Sequence, residues 1–110
     1  MAPRLTSDFW VGAYLRRLDM HNIPAFVTAK GDATAGAVLV KLNTLDGKAA
    51  AYQRSFDIEG DRIWVTLAEG PEAEVDAALA RQRDFDPDLW VIEVEDRQGR
   101  HLLDEDGLSG

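Results

Sequence analysis

The stretch Asp86-Pro87-Asp88 followed by Leu89-Trp90-Val91-Ile92-Glu93-Val94-Glu95 constrains this chain more than any other. A proline disfavours helical geometry at the residue before it, so any helix arriving from the N-terminal side stops here. The next residues alternate with period two. Trp90, Ile92 and Val94 point one way, and Leu89, Val91, Glu93 and Glu95 the other. One face is wholly apolar, and the other turns charged as the strand leaves the core. A packed tryptophan buries ~150–250 Å². The strand therefore belongs near the middle of a sheet.

The rest of the order follows from changes of period. Thr6 or Ser7 caps a helix expected over residues 7–21, with Asp8 in its positive first turn. Trp10, Val11, Tyr14, Leu15 and Leu18 form its main apolar stripe, while Phe9, Ala13 and Met20 lie on a second flank. We expect the N-terminal arm or the C-terminal tail to cover that flank; the alternative is a partner. Pro24 forbids helix continuation. Strands are then expected over residues 25–30, 35–42, 48–56 and 62–67, with Gly31-Asp32, Asp46-Gly47 and Glu59-Gly60-Asp61 as turns. Pro71 at a first helical position, with Glu72 and Glu74 behind it, opens a second helix. The fold is thus α+β (or α/β) in the order α-β-β-β-β-α-β, a mixed, mostly antiparallel five-stranded sheet carrying two helices. The first four strands are expected as a meander, and the second helix can bring the fourth and fifth strands parallel. Residues 1–110 read as one domain, with 1–5 a loose arm, a short edge piece at His101-Leu102-Leu103, and 104–110 a frayed acidic tail.

Charge and chemistry narrow the function. Twenty acids against twelve bases give a net charge of −8, and the bases do not cluster, which disfavours a nucleic-acid partner. No apolar run approaches the ~20 residues of a membrane span. No secretory signal is visible, and the cytoplasm is the default compartment. The chain has no cysteine. Asp84, Asp86, Asp88 and Glu95 match the ligand spacing of an EF-hand loop. However, Leu89 stands where the glycine must be, and strand follows where the exiting helix is required. Neither His21 nor His101 belongs to a metal-binding helix motif, and no glycine-framed serine or phosphate loop occurs. No catalytic, metal or cofactor site is therefore expected. Lys41 interrupts an otherwise apolar strand, and either reaches the sheet rim or pairs with Glu93 or Glu95.

Taken together, Trp10-Val11-x-Ala13-Tyr14-Leu15-Arg16-Arg17, Gly31-Asp32-x-x-Ala35-Gly36-Ala37 with Lys41 and Asn43, Pro71-Glu72-x-Glu74-Val75-Asp76 and Asp86-Pro87-Asp88-Leu89-Trp90 form a pattern. With it the chain resembles the bacterial family called domain of unknown function 1491, found mainly in alphaproteobacteria, over roughly residues 5–103. The resemblance implies a compact cytoplasmic α/β protein and no particular activity. Two readings follow. The first is a non-enzymatic binding or interaction module, for instance a homodimer through the first helix at Phe9 and Met20. The second is a small enzyme or ligand-binding protein that recognises an anionic metabolite near Tyr14, Arg17, Lys41 and Asn43, since arginine and lysine suit a carboxylate or phosphate. Asp88 completes the candidate contacts, because apolar packing does not explain it.

Overall fold

In a computed structural model, residues 5–105 and 108 are described. The elements are α1 (Ser7–Met20), β1 (Ala25–Ala29), β2 (Val38–Asn43), β3 (Lys48–Phe56), β4 (Arg62–Pro71), α2 (Glu72–Phe85) and β5 (Trp90–Glu95). The expected order holds, but the meander does not. The sheet runs β1-β5-β2-β3-β4, so β5 separates β1 from β2. Its parallel neighbour is β2, from Val38 beside Trp90 to Asn43 beside Glu95, and two strands, β2 and β3, separate it from β4. The other pairs are antiparallel. The physical reason lies in the two most apolar strands. All six residues of β2 are buried, as are Trp90 to Ile92 of β5, and strands apolar on both faces take the centre of a sheet covered on both sides.

Each face has its own core. Val11, Tyr14 and Leu18 of α1 pack on Val38, Val40, Leu42, Trp90, Ile92 and Val94. On the opposite face, Val75 and Leu79 of α2 cover Leu39, Ala49, Ala51, Leu89 and Val91. Pro71 ends β4 and serves as the N-cap of α2, so helical geometry begins one residue later than expected. One further expectation is corrected at the C-terminus. His101-Leu102-Leu103 adds no strand; Leu102 and Leu103 are buried in the α1 core instead. Leu108, within the expected tail, is buried in the same core, as an apolar side chain gains by leaving water. Residues 1–4 of the expected arm, and 106, 107, 109 and 110, lie outside the described residues.

The Gly31-Asp32-x-x-Ala35-Gly36 and Asp86-Pro87-Asp88-Leu89-Trp90 stretches turn out to be two halves of one lock. The Asp32 N–H donates to the Asp88 carbonyl at 3.0 Å, and the Trp90 indole Nε1–H donates to the Asp32 carbonyl at 2.8 Å. The loop passes so close that a Cβ on Gly31 or Gly36 would overlap the Asp88 carbonyl oxygen. The Asp32 carboxylate accepts from the Thr34 and Ala35 N–H groups, which holds the turn. The same loop then caps α1 in place of a side chain. Ser7 and Asp8 N–H groups donate to the Thr34 and Ala33 carbonyls at 3.1 and 2.9 Å. Thus the helix start, the loop and β5 are fixed as a unit.

His101 adds a pH-sensitive contact on the α1 face. Its Nδ1 accepts the Leu103 N–H at 3.0 Å, and its ring lies 4.8 Å from that of Tyr52. Burial pushes its pKa down, against a smaller upward pull from Asp104. The unfolded chain therefore takes up a proton at higher pH than the folded one. Stability is full above the ordinary histidine range near pH 6.5 and declines as pH falls toward the folded value. Replacing His101→Asn keeps an acceptor and removes the titration. Urea unfolding at pH 7.5 and 5.5 should show a smaller acid loss in the variant than in the parent.

Candidate functional site

Two polar clusters could carry function, one on each face of the sheet. Under α2, Lys41 is only 5% exposed. Its Nζ lies 2.7 Å from Glu72 and from Asp76 of α2, and 3.2 Å from Glu93, its neighbour across the β2–β5 ladder. Asn43 Nδ2 donates to Glu72 at 3.1 Å and to Glu93 at 3.4 Å. Burial opposes the lysine's charge, but hydrogen bonds to Asp76, Glu72 and Glu93 outweigh it and hold the pKa above the ordinary value. An ammonium held this way does not act as a nucleophile or base near neutral pH. Lys41 ties α2 to the sheet. The depression beside it, lined in part by Thr28, Asp76 and Arg83, is shallow at about 260 Å³.

The candidate residues from the sequence are not brought together. Tyr14 is fully buried on the α1 face, and its hydroxyl donates to the His101 carbonyl at 2.8 Å. Arg17, on the same helix, pairs with Glu105 at 3.3 Å. Lys41 and Asn43 do meet, but on the other side of the sheet, among the α2 contacts. Asp88 contributes its carbonyl to the loop lock, while its carboxylate is on an exposed residue. Phe9 and Met20 are 62% and 70% exposed, so neither arm nor tail covers them among the described residues. As for metals, Asp86 closes α2 and accepts the Asp88 N–H, while Glu95 sits in β5. Among the described residues Asp57, Glu59 and Asp61 come nearest to a ligand cluster. There, Asp57 Oδ1 accepts the N–H groups of Glu59 and Asp61, so it serves the β3–β4 turn.

The larger concavity comes from a split in the sheet. The β2–β3 ladder ends at Val40 beside Tyr52, whereas β2 stays paired with β5 back to Val38 and β3 with β4 out to Phe56. Between the parting strands and the start of α1 opens a cleft of about 710 Å³. Thr34, Ala35, Gly36, Ala37 and Val38 form one wall, Arg54, Arg62 and Trp64 another, and Leu5 to Ser7 with Trp10 a third. Its aromatic and cationic groups are stacked. The guanidinium of Arg54 lies 4.3 Å from the ring centroid of Trp64 and 5.7 Å from that of Trp10. The two indoles are 5.7 Å apart, and Trp10 stacks on Tyr14 at 5.0 Å. Arg54 Nη2 and Trp64 Nε1 both donate to the Leu108 carbonyl at 3.0 Å. The Trp10 Nε1–H is buried with no hydrogen-bond partner among the described residues. Burial, followed by the charge of Arg62, pushes the pKa of Arg54 down to about 10, so it remains a cation at neutral pH. Among the described residues, no carboxylate, histidine or lysine lines this cleft.

Sequence reasoning missed Arg54, Arg62 and Trp64. The signal was available in the hairpin. Centring it on Glu59 sets Phe56 opposite Arg62 and Arg54 opposite Trp64, as observed. Alternation sets Ile63, Val65 and Leu67 on one face of β4 and Trp64 on the other. That places Trp64 toward α1 and Leu67 toward α2, and a register shift between Ala51 and Tyr52, with Leu67 as the extra residue of β4, lets Ala68 follow Leu67 onto the α2 face.

The family described as "Protein of unknown function (DUF1491)" matches residues 5–104. The chain belongs to this family. A crystal structure of a DUF1491 protein from Caulobacter crescentus is 41% identical over 93% of this chain and 97% of that one, with a TM-score of 0.84. An NMR structure of a DUF1491 protein from the same organism is 40% identical over 94% and 96%, with a TM-score of 0.80. A solution structure from A. tumefaciens is 33% identical over 84% and 86%, with a TM-score of 0.71. None of the curated proteins matches. The family thus establishes the DUF1491 fold and assigns it no activity. No described helix is long and apolar enough to cross a membrane.

Proposed function

We propose that this DUF1491 protein is a non-catalytic binding module. Its ligand is a small anion, a carboxylate or phosphate on a flat or apolar body, held in the cleft where β2 and β3 part. One observation carries the reading: two guanidinium groups, of Arg54 and Arg62, and two indoles line one cleft of about 710 Å³, on a chain of net charge −8. Lining groups of this kind, an apolar body with a few placed polar contacts, characterise small-molecule sites. Guanidinium groups bind carboxylate and phosphate through paired N–H donors. Binding is favoured over catalysis because, among the described residues, the cleft is lined by no carboxylate, histidine or lysine. The Ser7 hydroxyl donates to the Gly36 carbonyl at 2.6 Å and has no base beside it among the cleft residues. The compartment that fits is the cytoplasm, where carboxylated and phosphorylated metabolites are abundant.

Calorimetric titration of the full chain with pyrophosphate, citrate and inorganic phosphate tests this. At least one should bind saturably, and Arg62→Gln should weaken it about 10–100-fold, the range for hydrogen bonds to charged groups. Absence of saturable binding by all three, or equal affinity in the variant, would overturn the proposal.

A further inference from the structure

The register of the parted strands turns the backbone of one residue toward the cleft. In the β2–β3 ladder Val40 stands beside Tyr52 and Leu42 beside Ala50, and just past them the Thr44 N–H donates to the Lys48 carbonyl at 3.3 Å. Antiparallel strands exchange hydrogen bonds at every second pair, so Leu42–Ala50 and Val40–Tyr52 are the bonded pairs. Val38 and Arg54 come next in that register, and the ladder stops short of them. Nor does β5 meet the Val38 amide. The Trp90 N–H donates to the Ala37 carbonyl at 2.8 Å, so Ala37, Leu39 and Lys41 turn their backbone groups to β5 and Val38 turns its own away. Val38 is only 9% exposed and lines the cleft. Buried N–H and C=O groups are almost always paired, yet no hydrogen bond to either group of Val38 is formed among the described residues.

We infer that the ligand of the cleft is the C-terminal end of an extended peptide. This rests on the anion reading above and narrows it. The penultimate residue lies along β2 and exchanges hydrogen bonds with the N–H and C=O of Val38, as a strand added to a sheet edge does. The terminal carboxylate meets the guanidinium groups of Arg54 and Arg62 on another wall. An apolar last side chain rests on the indoles of Trp10 and Trp64. Phosphate or citrate answers the cations alone, whereas a backbone amide one residue from a carboxylate answers the cations and Val38 together.

Calorimetric titration of the full chain compares four probes. They are acetyl-Ala-Ala-Leu, its C-terminal amide, the same peptide N-methylated at the second alanine, and isocaproate, which keeps the leucine body and carboxylate without a backbone. The free peptide should bind saturably and at least ~10-fold tighter than isocaproate. Amidation should weaken it about 10–100-fold and N-methylation about 3–10-fold, the ranges for hydrogen bonds to charged and to neutral groups. In nitrogen-correlated NMR spectra the Val38 N–H should gain exchange protection with the free peptide and not with isocaproate. Suppose pyrophosphate or citrate binds saturably. A peptide no tighter than isocaproate, an amidated or N-methylated peptide as tight as the free one, or a Val38 N–H that does not respond then overturns this inference and leaves the anion site standing. Absence of saturable binding by every probe, peptide and anion alike, would overturn both.

Discussion

Trp90→Ala should cost ~3–5 kcal/mol, measured by urea unfolding. That is a large part of the 5–15 kcal/mol that holds a domain of this size together. Two losses add. The indole is 4% exposed in the α1 core, next to Val38 in the parallel register, so truncation leaves a cavity between two strands that backbone pairing keeps apart. It also removes the 2.8 Å hydrogen bond to the Asp32 carbonyl, which holds the loop that caps α1. The damage should thus reach the helix start, with faster amide exchange at Ser7 and Asp8. A loss below about 1 kcal/mol would show that neither the cavity nor the lock matters.

Lys41→Met should cost about 3 kcal/mol, through charge and not through volume. The methionine fills most of the lysine's space, but Glu72, Asp76 and Glu93 are left converging on a point that no longer holds a cation. Glu93 bears most of the penalty, since its side chain is only 15% exposed, against 38% for Glu72 and 53% for Asp76, which can turn to water. Adding Glu93→Gln to Lys41→Met should therefore recover a sizeable share, with Asn43 still available to the amide. If the double variant is less stable than the single one, the penalty is packing, and the ion cluster is not what ties α2 down.

How much of this was legible depends on the range of the interactions. The ends of α1 and α2, the stop at Asp86-Pro87-Asp88 and the strand at Trp90 were readable because each is set by neighbours in sequence. Strand order was not. The β2–β5 pairing joins residues about fifty apart, and its only trace is that Val38-Leu39-Val40 and Trp90-Val91-Ile92 share an apolar character on both faces. The sequence marks Lys41 as anomalous and offers Glu93, alongside Glu95 and the sheet rim, as its destination, but not the two α2 carboxylates. A helix laid across a sheet brings Glu72 and Asp76 over it without any local signal. Asp88 was singled out for a side chain that does little, since its carbonyl is the group the loop uses. The cleft was missed because it exists only where β2 and β3 part, and no local pattern marks that point.

The three tryptophans offer the most direct test of the binding site, since each indole N–H reports a different place. Trp90 lies in the core with its N–H on Asp32, whereas Trp10 and Trp64 line the cleft. In nitrogen-correlated NMR spectra of the full chain titrated with pyrophosphate, citrate or phosphate, the Trp10 and Trp64 indole resonances should move together and saturate, while that of Trp90 stays in place. Indole signals of Trp10 and Trp64 that remain still up to millimolar concentrations of all three anions would contradict the account.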